Sequence, residues 1–110
     1  MTQIQKLAAA IEELGDKFVA MVREDQDHEG SREGLAVCSE QGGLYRALAL
    51  TPALTWPDFR VKEAVVAEYH TADVGGYCTA ELSDELGAML AASLLDDLHA
   101  LLKDELALAA

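Results

Sequence analysis

A chain of 110 residues and 11.8 kDa has room for one domain, 1–110, and excludes a two-domain enzyme, since single cores commonly occupy roughly 100 to 150 residues. Apolar residues make up 51% of the chain, with Ala and Leu filling 36 positions and six aromatics, a composition that suits a helix-rich domain with a real core. Twenty acids against eight bases give a net charge of -12, which excludes direct nucleic-acid binding, because phosphate neutralisation needs clustered Lys and Arg.

Thr2 followed by Gln5 has the spacing of a capping box, and Ile4, Leu7, Ile11, Leu14, Phe18 and Met21 then recur at intervals of three and four. An amphipathic helix is expected here, ended by the polar run Glu24 to Gly30. Within that run, Asp25-x-Asp27-x-Glu29-Gly30 copies half of a calcium loop. It lacks the closing bidentate Glu, whose place Ala36 holds, so it reads as an acidic linker. No signal-peptide pattern opens the chain, and a cytoplasmic protein is expected.

Residues 35–39 and 44–50 flank Glu40-Gln41-Gly42-Gly43 and read as two strands joined by a glycine turn. The Thr55 to Asp58 spacing can cap a helical turn with Pro57 inside it. From Arg60 to His70 β-branched residues are frequent, and Arg60, Lys62, Glu63 and Glu68 scatter around a helical wheel, so a third strand is expected. Thr71 to Gly76 reads as a turn. Thr79 or Ser83 then caps a final helix rich in leucine, from Leu82 to Leu106. Leucines at every fourth position drift around a helix of 3.6 residues per turn, so this helix bends, breaks near Ser93 or wraps a partner. The fold expected is α+β: an N-terminal helix, a small antiparallel three-stranded sheet and a long or broken C-terminal helix, with an all-α bundle as the alternative.

Little in the sequence points to a reaction. Cys38 and Cys78 stand apart from any Cys-x-x-Cys pattern and read as two reduced, buried thiols. Together with His70 and Asp73 they lack zinc-ligand spacing, so neither a metal nor a cofactor is expected, and the anionic surroundings disfavour a reactive thiolate. What stands out is charge distribution. Residues 63–110 carry ten acids and one base, Lys103, whereas residues 1–62 carry ten acids and seven bases. Glu63, Glu68, Asp73, Glu81, Asp84, Glu85, Asp96 and Asp97 fall between Lys62 and Lys103 with no base among them. Such a surface steers basic partners and raises their association rate.

The function expected is therefore that of a non-enzymatic binding protein, or inhibitor, whose acidic C-terminal half masks a basic surface of a protein or nucleoprotein complex. By size and charge the chain is similar to phage-encoded anti-CRISPR inhibitors and other nucleic-acid mimics, a profile shared by toxin-immunity proteins. The alternative is a small acidic homodimeric chaperone or scaffold that holds an apolar client segment. No segment is long and apolar enough to span a membrane. The surplus of leucine in the last helix suggests a homodimer formed through it.

Overall fold

The computed structural model describes residues 1–24, 32–71 and 84–109, apart from the side chains of Thr71 and Asp84. Among them it contains four helices and no strand: α1 (Gln3–Glu24), α2 (Arg32–Leu50), α3 (Trp56–Thr71) and α4 (Asp84–Ala109). The α+β expectation is overturned, and the all-α alternative is the fold.

α1 forms as its pattern predicts. The Gln5 amide donates to Thr2 Oγ1 at 3.2 Å, and the Thr2 amide donates to Gln5 Oε1 at 3.0 Å, so the two side chains satisfy two otherwise orphaned donors. Ile4, Leu7, Ile11 and Phe18 are buried along one face, with Leu14 and Met21 packed beside them.

The segment read as a hairpin is instead α2. Its buried positions, Gly34, Val37, Cys38, Gln41, Gly42, Tyr45 and Leu48, recur at helical spacing, but Gln41 interrupts the apolar stripe. The polar residue is tolerated because Gln41 Nε2 donates to the Ile11 carbonyl of α1 at 3.0 Å, and a buried amide with a partner avoids most of its desolvation cost. The backbone of Gly42-Gly43 makes no turn, since no described glycine has positive φ.

The expected third strand is α3. Asp58 N donates to Thr55 Oγ1 at 3.3 Å, so Thr55 caps the helix and Pro57 sits in its first turn, where a missing N-H costs little. Asp58, Phe59, Lys62, Val65, Val66 and Tyr69 are buried, again at helical spacing with charged residues inside the stripe. α4 is one continuous helix through Ser93, about 39 Å long at 1.5 Å per residue. Of the alternatives left open for this segment, a long helix or one broken near Ser93, the long helix is found, and the Ser93 hydroxyl accepts a hydrogen bond from Lys62. The acidic linker at 25–30, the turn after Thr71 and the caps at Thr79 and Ser83 lie outside the described residues.

The helices pair as two hairpins. Phe18 clusters with Val37 and Cys38 while Gln41 reaches Ile11, so α1 and α2 run antiparallel. Phe59 meets Leu101 and Lys62 meets Asp97, which sets α3 antiparallel to α4. α1 packs on α3 and α2 on α4. The main core lies between the hairpins, where Ile4, Leu7, Tyr45, Leu48, Val66 and Leu90 come together. Tyr45 and Tyr69 meet edge to face across it with centroids 4.9 Å apart, an arrangement favoured by the ring quadrupoles. Thr2 Oγ1 also donates to Asp58 Oδ1 at 2.9 Å, tying the start of α1 to the start of α3. No helix among the described residues is long and apolar enough to cross a membrane.

Candidate functional site: an acidic cleft and a two-faced helix

The acids singled out from sequence do not form one cluster. Glu63 and Glu68 are exposed on α3, but five positions place them about 140° apart around the helix. Glu85 and Asp96 are exposed on α4, three turns apart on one flank. Asp84 opens α4, with its side chain outside the described residues, as are Asp73 and Glu81 altogether. Asp97 is different in kind. Its side chain is buried and its Oδ2 lies 2.6 Å from Lys62 Nζ, so it is engaged inside the bundle and contributes little to an outward-facing anionic surface.

Lys62 is fully buried. Its ammonium donates to the Thr51 carbonyl at 2.8 Å, Ser93 Oγ at 2.7 Å and Asp97 Oδ2 at 2.6 Å. A lysine has three N-H donors, and all three are used. The bond to Thr51 satisfies a carbonyl just past the C-terminal end of α2, where orphan acceptors and the helix dipole favour a cation. One side chain therefore joins the α2–α3 connection, α3 and α4. With its donors saturated this group is a structural tie, with none left for a substrate.

The acids that do converge lie elsewhere. Glu12 and Asp16 of α1 and Glu68 of α3 line one cleft of about 220 Å³, whose floor is Ile11, Gly15, Gln41 and Tyr45. No base among the described residues lines it. Glu12 and Asp16 are exposed on α1, away from its apolar face. The signal that marks them is a like-charge pair at i and i+4, which weakens an isolated helix and so stands out in a helix otherwise well formed. Three carboxylates around a concave, partly polar floor can receive a lysine or arginine side chain. Among the described residues no group of three or more His, Cys, Asp or Glu has the geometry to hold a metal ion.

A second surface is apolar. Leu54, Trp56, Pro57, Leu101 and Leu108 line a shallow groove rimmed by Asp104 and Glu105. Beyond Leu101 every described residue of α4 is exposed, with Leu106 at 72% and Leu108 at 88% exposure. α4 thus carries leucine on its packed side and on its open side, which accounts for the drifting pattern in its sequence.

Cys38 corrects the expectation of reduced thiols. It is buried in the cluster with Phe18 and Val37, and it is disulfide-bonded. The other cysteine of the sequence, Cys78, lies outside the described residues. Absence of a Cys-x-x-Cys pattern does not argue for reduced thiols, because a disulfide requires closeness in space and not in sequence. No family model matches the chain, and no curated protein or solved structure matches it significantly.

Proposed function

We propose that this is a non-enzymatic binding protein that docks on a basic face of a protein or nucleoprotein partner, with carboxylates taking the place that phosphates hold in a nucleic-acid ligand. The observation that carries this reading is the cleft lined by Glu12, Asp16 and Glu68, with no base among the described residues on its walls. Glu63, Glu85 and Asp96 are exposed elsewhere on α3 and α4, and a net charge of -12 speeds encounter with a cationic surface. An inhibitor of the anti-CRISPR type, which blocks a nucleic-acid-binding face, fits this chemistry.

The test is capture of a partner at low and high salt by the native chain and by a Glu12→Lys, Asp16→Lys, Glu68→Lys variant. Binding should be strong at about 50 mM salt and fall steeply by about 500 mM as the Debye length shortens, and the reversed chain should lose it at both. A partner held equally by the reversed variant would refute the reading. The exposed Leu50, Leu54, Leu106 and Leu108 favour a second reading, a scaffold or chaperone that grips an apolar segment, and this predicts salt-resistant binding. Action in the cytoplasm belongs to the first reading, and the disulfide at Cys38 argues against it, because thiols there are kept reduced.

A further inference from the structure

α4 has a second apolar stripe that the bundle does not use. Leu86, Leu90 and Leu101 face inward with Asp97. On the other side Ala88, Ala92, Leu95, Leu102, Leu106 and Ala109 are all exposed. Their positions, completed by the exposed His99, alternate steps of four and three without interruption. The two stripes lie about 150° apart around the helix axis. A strict repeat of 3.5 residues is the pattern of a coiled-coil seam, because a straight helix of 3.6 residues per turn drifts by about 20° per heptad relative to it. Packing against the bundle does not require that repeat on the outward side.

We infer that this outward stripe binds a second copy of the same chain, α4 against α4, antiparallel and centred near Ala100. The flanking charges select that arrangement. Asp96 and Lys103 occupy the same flank of the stripe, each directly after an exposed leucine and seven positions apart. Both are exposed, and neither takes part in the Lys62–Asp97 salt bridge. In an antiparallel pair the same flank of both helices meets. The central register sets Asp96 of each copy near Lys103 of the other, Leu95 against Leu106, His99 against Leu102 and Ala92 against Ala109. Sliding by one heptad brings Asp96 to Asp96 or Lys103 to Lys103, which repel. A parallel pair sets Lys103 against Leu98 and forms no ion pair. Lys103 is the sole base between residues 63 and 110, and it stands where this one register needs a cation. A polar residue within a seam, here His99, also helps to specify register at some cost in affinity.

This inference does not depend on what the acidic cleft binds. The test is sedimentation equilibrium of the full chain over a wide concentration range at physiological salt, with circular dichroism to confirm helicity. The native chain should associate reversibly to twice 11.8 kDa. Leu102→Glu and Leu106→Glu change exposed positions, so each should stay folded and become monomeric. Lys103→Glu should raise the dimer dissociation constant about tenfold by turning two attractive contacts into repulsive ones, and adding Asp96→Lys should restore it. A monomer at every concentration would assign the stripe to a partner of different sequence and overturn the proposal. So would a dimer indifferent to the leucine changes, or a charge swap that fails to rescue.

Discussion

Removing the carboxylate of Asp97 is the sharpest perturbation of this fold. Asp97→Ala leaves the Lys62 ammonium at zero exposure with two neutral acceptors, Thr51 O and Ser93 Oγ, and no counter-charge. Breaking a buried pair in this way costs about 3–5 kcal/mol. A chain of 110 residues holds about 5–16 kcal/mol in total at the usual stability per residue, so the change should consume a large part of it. In urea, with a slope of about 1–2 kcal/mol per molar, the midpoint should fall by roughly 1.5–5 M. The double change Lys62→Met with Asp97→Leu should behave differently, because no charge is left buried and similar replacements are often neutral or stabilising. It does strip the Thr51 carbonyl and the Ser93 hydroxyl of their donor, at about 1–2 kcal/mol when water reaches a part-buried group. Urea unfolding of the four proteins of this cycle should therefore place the double variant above Asp97→Ala. If Asp97→Ala costs under about 1 kcal/mol, or the double variant is as unstable as the sum of the singles, the tie among three elements is not what holds α3 against α4.

Two glycine positions separate intrinsic helix preference from packing. A Cβ at Gly43 meets nothing within 4 Å, so Gly43→Ala should stabilise α2 by about 0.5–1 kcal/mol. At Gly87 the same atom would lie 3.0 Å from His70 Cε1 and 3.4 Å from Tyr69 Cε1, so Gly87→Ala should gain less than Gly43→Ala, and more of the gain should return in a His70→Ala background. Thermal melts of these variants decide it, and equal gains at both sites would refute the close approach at Gly87. Thr2→Ala removes a helix cap and the bond to Asp58 together and should cost about 1–2 kcal/mol. Thr2→Ser, which keeps the hydroxyl, should stay near the native melting temperature.

The local signals in this sequence were reliable where one helix turn contains both partners. The Thr2–Gln5 box, the Thr55 cap of α3 and the apolar face of α1 follow from spacing alone, because the interacting groups are three or four residues apart. Composition and charge likewise set the size, the helix-rich character and the acidity before any fold was known. α2 and α3 could not be read that way. Each hides a polar side chain on its buried face, Gln41 in one and Lys62 in the other, and a buried polar group blurs the periodicity that marks a helix. Their partners, the Ile11 carbonyl and Asp97, lie thirty and thirty-five residues away, so only the tertiary structure makes those positions sensible. The candidate surfaces divide along the same line. That the C-terminal half is acidic was plain from counting, but folding withdrew Asp97 into the core and brought Glu12 and Asp16 of α1 beside Glu68 of α3. The uneven leucines of α4 announced more apolar surface than one contact could use. Which of them the bundle buries, and which it leaves to the outside, was decided by the packing of α4 against α2 and α3, since a helix carries the same residues whichever side its neighbours take.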